Sequence, residues 1–548
     1  EASCPYAASA ASSSSAPSHP ELVRVPSLPY VGSMIPRHSG VPPDPLRPYE
    51  FWTGMRERFG DFYAMGLPVI GNTDPEKGGD RRAVAYVVHD PREMVKVVRS
   101  EGAYPSGLLP KMWPNRKYLA ESGFVVGSGE DGGFLGEGPG WKRLRTFLQT
   151  DLLHPEAARG YIPGMVEAAR LASRGAPASS SKGGTDGDFI PYLNRCAFDM
   201  FNTIMFGELT RTADPHGTPD AENLKFVDAA SSGVTASLEQ LRHPFEILVG
   251  KVMGFETERY RTMRRGYETT WNVSRKKVKE FLRLKGEGKL DANQTASYLA
   301  RAVDRQASKE GNKDGITMRE MEELVFTGLF AAVDTTSATL AWNVLHLALN
   351  PGVQDKLHEE LRAGLDAAGD GDDDEGKRRR LNAAVLDRSA SPYLRAVVRE
   401  SHRITPIGPH AVFKSVGSGD GMDIHGVRLP EGSVVALCGY PIGNDPTLVD
   451  DPDKFVPERW YPDAVERRRG TPSEVVDHPY FRDAFSQGPR KCPAARVAAN
   501  EILVMVSQLV LDYRISTETK DMTLKDVEYE MQTAIQPIMP PLRFEPRV

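Results

Sequence analysis

The stretch Phe485–Val497, FSQGPRKCPAARV, limits what this chain can fold into more than any other part of it. A glycine able to take a tight turn comes first, then a basic pair, one of only four cysteines, and a proline standing before the apolar run AARVAANEILVMVSQLVL. Proline suits the first helical position, because its missing N–H would be unpaired there and its φ is already helical. The spacing therefore predicts a helix from Pro493 with Cys492 as its N-cap. The sulfur would then sit where unpaired backbone N–H groups and the positive end of the helix dipole converge, beside Arg490 and Lys491. Such surroundings lower a thiol pKa from about 8.5 to between about 3.5 and 7.5, so a thiolate is expected at neutral pH. A thiolate serves as nucleophile, redox centre or metal ligand; a buried inert cysteine is the plain alternative.

Cys4, Cys196, Cys438 and Cys492 are far apart and form no C-x-x-C pair, which argues against a disulfide framework and against a cysteine-rich zinc site. Apolar residues at 40% and charged residues at 26% are the balance of a globular chain, and a net charge of -6 argues against a nucleic-acid partner. No window is expected to reach the apolar length of a membrane-spanning helix; the best run, Ile502–Leu511, is broken by Ser507 and Gln508.

Residues 1–24 read as a Ser/Ala-rich disordered tail, and residues 25–548 as one large domain with surface insertions near 173–188 and 368–380. Within it the dominant period is helical: Met321, Leu324, Val325, Leu329 and Ala332 recur on one face, and Leu340, Trp342, Leu345 and Leu349 continue the pattern. Strand-like pieces such as Arg82–His89 and Gly432–Tyr440 are short. The expected class is mainly α with small β-sheets.

Three familiar patterns fail. Gly127–Gly132, GSGEDG, is followed by glycines and not by the helix a dinucleotide loop requires. Asp370–Glu375 lacks the glycine and the closing glutamate of a calcium loop, and His358–Arg362, HEELR, lacks the second histidine of a zinc helix.

Phe485, Gly488, Arg490 and Cys492 together resemble the haem-binding loop of the cytochrome P-450 family, F-x-x-G-x-R-x-C-x-G, with Ala494 in the place of its last glycine. Further landmarks of that family stand in order. Phe330–Trp342, FAAVDTTSATLAW, resembles its long distal helix, although taken alone Asp334 also reads as the cap of a second helix. ESHR, with Glu400 and Arg403, and PERW, with Arg459, resemble its buried Glu-Arg-Arg cluster, and GWKRLR resembles the helix carrying Trp141 and Arg145. One departure is Phe413, next to Lys414, where a strand arginine often contacts a haem propionate.

The resemblance implies a single helical domain enclosing haem b, with Cys492 as thiolate ligand to iron and no bound flavin or NAD. It implies that Trp141, Arg145, Phe485, Gly488 and Arg490 hold the haem, that Asp334 and Thr335 pass protons to dioxygen beside a locally weakened helix, and that Glu400, Arg403 and Arg459 are structural. A lipophilic substrate, sterol-like or fatty-acid-like, would meet Phe326, Leu329, Val333, Ile407 and Val412. The wording is closest to mitochondrial-type members, in which the positions of Arg395 and Arg399 dock a ferredoxin; a flavin reductase is the alternative donor. Membrane association in the mitochondrion follows, or else in the endoplasmic reticulum with an anchor removed upstream of Glu1. The expected activity is monooxygenation, against a haem-thiolate isomerase or dehydratase acting on a peroxide, and against a non-catalytic haem sensor.

Overall fold

The computed structural model describes residues 22–25, 47–66, 84–105, 136–180, 189–307, 315–368, 381–408, 412–417, 419–532 and 534–547. The tail at 1–21, the GSGEDG loop and the acidic stretch 369–380 lie outside them.

Numbering only helices of ten residues or more, the chain runs α1 (Pro48–Phe59), β1 (Phe62–Gly66), β2 (Val84–Val88), α2 (Pro91–Ser100), α3 (Gly138–Leu152), α4 (Ile162–Ser173), α5 (Phe189–Met205), α6 (Ala221–Arg242), α7 (Pro244–Met253), α8 (Glu258–Gly286), α9 (Tyr298–Ala307), α10 (Met318–Leu349), α11 (Pro351–Ala368) and α12 (Pro392–Ile404). It continues with β3 (Val412–Ser415), β4 (Met422–Ile424), β5 (Val427–Leu429), β6 (Val434–Leu437), α13 (Ala495–Asp512), β7 (Tyr513–Thr517), β8 (Tyr529–Met531), β9 (Ile535–Pro537) and β10 (Leu542–Pro546). The fold is thus mainly helical with small sheets.

α10 is the axis of the molecule. Its start is fixed by a capping box, in which Thr317 Oγ1 accepts from the Glu320 N–H at 3.2 Å and Glu320 Oε2 accepts from the Thr317 N–H at 2.6 Å. Leu324, Val325, Leu340, Ala341 and Leu345 along it are wholly buried in the main core, shared with α4, α5, α12 and α13. α10 runs unbroken through Asp334, so that residue caps no second helix. Thr335 Oγ1 donates to Ala331 O at 3.0 Å and Thr339 Oγ1 to Thr335 O at 2.8 Å, back-bonding that loosens a helix slightly without ending it. Above α10, α6 and α8 cross closely because two glycines meet: a Cβ on Gly266 would lie 2.6 Å from Gly233 Cα.

The main sheet has the order β1-β2-β6-β3, with β2 and β6 parallel and the other pairs antiparallel. Facing residues are Ala85 with Val434 and Lys414 with Val435. Its faces pack against α1 and α2 as two smaller cores.

Two boundaries and one apolar span differ from the sequence reading. The tail gives way to order before residue 25: Val25 N–H donates to Ala64 O at 2.8 Å and Ala64 N–H to Val23 O at 2.9 Å, alongside β1. The insertion placed at 173–188 begins inside the fold, since Ser173 is buried, donates to Asp512 Oδ2 at 2.7 Å, and leads into a helix at Ala176–Ser180. Finally, Met318–Leu349 is long and apolar enough to cross a membrane by length and composition, which the search for apolar runs missed because its polar residues are dispersed. Here it is the packed central helix.

Candidate active site

The cysteine loop is a tight turn closed on itself. Cys492 N–H donates to Phe485 O at 3.0 Å, and Lys491 N–H to Gly488 O at 3.0 Å. Gly488 holds φ +85° at the turn. α13 starts at Ala495 with Ala494 as N-cap, not at Pro493 with Cys492 as N-cap. The helix dipole therefore acts from farther away than the sequence suggests, and burial dominates: it pushes the Cys492 thiol up, while the Ala494 N–H, Arg145 and Lys491 pull it down. The expected low thiol pKa is overturned for the protein alone.

Two guanidinium groups converge on this loop. Arg145, on α3, is 6% exposed; its Nη2 donates to Lys491 O and its Nε to Gln149 Oε1 at 3.0 Å. Burial takes its pKa down to about 10, with Arg490 adding to the fall and Cys492 opposing it. Arg490 stacks over the Trp141 ring at 4.3 Å and donates to Pro105 O at 3.0 Å and Gly136 O at 2.7 Å. A thiol flanked by two arginines whose direct acceptors are neutral oxygens fits an iron porphyrin: sulfur for the metal, guanidiniums for its carboxylates. Phe485 and Gly488 are half-buried in the same turn.

α10 offers its open side at Ala331 and Thr335, both exposed, with Phe330, Ala332 and Asp334 half-buried beside them. The opposite side is packed. Leu329 and Val333 are 1% exposed in the main core and Phe326 is 4% exposed beneath Trp271 at 5.5 Å, so these three do not line the open face on which the resemblance places them. Ile407 is half-buried and Val412 exposed. Thr336, next to Thr335 but buried, faces Glu501 of α13, a carboxyl whose complete burial raises its pKa strongly and whose neighbour Thr336 opposes that rise. Sequence reading missed Glu501; its only signal is an acid inside an apolar helical run.

Glu400, Arg403 and Arg459 are brought together. Glu400 accepts from Arg403 Nε at 3.0 Å and Nη2 at 2.9 Å, from Arg459 Nε at 3.0 Å, from Trp460 Nε1 at 2.9 Å and from the Val456 N–H at 3.1 Å. Arg395 and Arg399, expected as an exposed docking pair, are instead turned inward. Arg395 Nη2 donates to Leu386 O at 2.7 Å; Arg399 lies 3.7 Å over the Trp460 ring, 3.6 Å from Asp477, and burial lowers its pKa to about 9. The four-residue spacing shows that they share a helix face, not that this face is covered by a tryptophan sixty residues away.

Of the other described cysteines, Cys196 and Cys438 are fully buried, with thiols pushed up by burial. Among the described residues no cluster of three or more His, Cys, Asp and Glu suits a metal ion. The cytochrome P450 family model matches residues 83–541. Cytochrome P450 11B, mitochondrial, of Aquarana catesbeiana is 23% identical over 507 residues, covering 90% of this chain and 86% of that protein. The mitochondrial cholesterol side-chain cleavage enzymes of Mesocricetus auratus and Homo sapiens are 25% and 26% identical, covering 90% and 86% of this chain and 86% and 82% of their own lengths. With a family model spanning most of its length, the chain belongs to the cytochrome P450 family and is a haem-thiolate monooxygenase.

Proposed function

We propose that Cys492 is the axial ligand and that the enzyme hydroxylates a sterol-like substrate with electrons from a ferredoxin at a mitochondrial membrane. The observation that carries the ligand assignment is the convergence of Arg145 and Arg490 on Cys492. When bound, the haem supplies activation of dioxygen, driven by electron density from the cysteinate. Arg145, Arg490 and Trp141 would hold the group, the two guanidiniums neutralising its carboxylates and the Trp141 ring seating Arg490. Thr335 Oγ1, which in this structure donates to Ala331 O at 3.0 Å, and the Asp334 carboxyl stand on the open side of α10, where they would relay protons to dioxygen. Phe330, stacked on Tyr267 at 4.8 Å, gives that side an apolar wall for a lipophilic substrate.

Similarity to mitochondrial relatives, among them cholesterol side-chain cleavage enzymes, supports the sterol and the mitochondrial setting, and the ferredoxin follows from the resemblance to mitochondrial-type members. With Arg395 and Arg399 turned inward, the docking role falls to Arg482 and Arg496, exposed on either side of the cysteine loop. Exposed Val249, Val252, Met253 and Phe255, on and just after α7, form an apolar patch suited to a membrane surface. The test is turnover of a sterol panel with ferredoxin, its reductase and dioxygen. Oxygenated product that disappears without the ferredoxin supports the reading; conversion of a peroxide with no reductant present points to an isomerase instead. Arg482→Glu with Arg496→Glu is expected to slow ferredoxin-driven reduction about tenfold at low salt and much less at high salt.

A further inference from the structure

The cysteine loop is seated on the end of α2. A Cβ on Gly488 would lie 2.4 Å from Val98 Cγ1 and 2.9 Å from Glu101 Oε2, so the turn and the helix end are in direct contact. A second contact comes from Arg490, whose Nε donates to Pro105 O, four residues beyond Glu101. What holds this helix end is a buried ion pair. Lys414 Nζ, from β3, donates to Glu101 Oε2 at 3.0 Å, with side-chain exposures of 4% and 1%. The strand is tied to the same place again: Gly417 N–H donates to Ser100 Oγ at 3.1 Å, and a Cβ on Gly417 would lie 1.6 Å from Ser100 O.

Strand alternation explains why a lysine is available. Phe413 packs with Tyr63 and Met65 on one side of the sheet, which sends Lys414 to the other side, toward α2. Glu101 Oε1 is buried with no hydrogen-bond partner among the described residues, so Lys414 is the donor on which this carboxylate depends. Burial raises the Glu101 pKa, and Lys414 and Arg490 work against that rise. Such a pair contributes little net stability compared with an apolar pair of equal volume, yet loss of one partner strands a buried charge. Its value is geometric.

We propose that the Lys414–Glu101 pair is a positioning element for Cys492: it fixes the end of α2 on which the Gly488 turn seats, and so keeps the sulfur placed to bind iron as a thiolate. This rests on Cys492 being the axial ligand.

The test is the carbon monoxide complex of the reduced holoprotein, followed over time for its change from the thiolate-type to the neutral-thiol-type Soret band, alongside thermal unfolding. Lys414→Met is expected to convert at least about tenfold faster than wild type. Glu101→Gln shifts in the same direction by less, and still reports if Lys414→Met fails to fold. The double variant Glu101→Gln with Lys414→Met, which removes both charges, is expected to return to within about threefold of wild type. If Glu101→Gln and the double variant melt at lower temperature but convert at the wild-type rate, the pair is only structural and the proposal is overturned. A wild type with no thiolate-type band at all would instead remove the ligand assignment, a distinguishable failure.

Discussion

Glu400 and Cys492 each gather two arginines, and the two groups differ in what those arginines touch. At Glu400 the guanidiniums of Arg403 and Arg459 meet a carboxylate, and their remaining donors go to Gly443 O at 2.8 Å, Pro452 O at 2.8 Å and Asp450 O at 2.9 Å. Glu400 cancels one of the two positive charges inside the cluster. At Cys492 the direct acceptors of Arg145 and Arg490 are neutral oxygens, and burial, with a smaller contribution from Arg490, takes the Arg145 pKa down to about 10. The first cluster is finished as it stands, whereas the second keeps its positive field available to an anionic ligand. Scaffold and chemistry are thereby separated within one fold.

The largest effect should come from breaking the finished cluster. Glu400→Ala leaves Arg403, only 1% exposed at its side chain, without its carboxylate, and is expected to destabilise the fold by about 3–5 kcal/mol in a denaturant titration. Arg490→Gln is expected to do the reverse: a stability loss of about 1 kcal/mol with haem retention weakened about tenfold, read by haem transfer to an acceptor protein. Equal stability losses in the two variants would erase the distinction.

A finer contrast separates neighbours on α10. Thr335→Ala is expected to lower product formed per electron consumed at least about tenfold while leaving stability within about 0.5 kcal/mol. Thr336→Ala, which takes the facing hydroxyl from buried Glu501, should instead cost about 1–3 kcal/mol of stability with little change in coupling. Interchanged results would mean that the open side of the helix has been misassigned.

The last contrast is in pH dependence and falls on the scaffold. His89 and His346 are held neutral by burial, with pKa values of about 4 and about 3 against an ordinary 6.5. Between those limits the unfolded chain binds more protons than the folded one. Stability is therefore complete above about pH 6.5 and falls as pH drops toward about 4, by about 1.4 kcal/mol per unit for each histidine. Replacing His346, which stacks on Phe455 at 4.7 Å, by Gln should lower that slope by about 1.4 kcal/mol per unit in unfolding titrations between pH 4 and 6.5, leaving the share of His89.

What the sequence revealed follows the distance over which each feature is made. The cysteine turn was legible because its contacts span seven residues, from Phe485 O to Cys492 N. The helix start was misplaced because proline at a first helical position is a preference, and here Cys492–Ala494 continue the turn before α13 begins. The resemblance places Leu329 and Val333 against the substrate by their position close to Asp334, yet both are buried in the core, because nearness along a helix does not say which face is open. Glu101 and Lys414 are 313 residues apart and carry no local signal, so only the folded arrangement joins them.

The central claim is that Cys492, and not the buried Cys438, provides the sulfur. It is tested most directly by the carbon monoxide difference spectrum of the reduced protein, with wild type beside Cys492→Ala and Cys438→Ala. The thiolate-type band should be present in wild type and Cys438→Ala and absent from Cys492→Ala; its survival in Cys492→Ala would contradict the account.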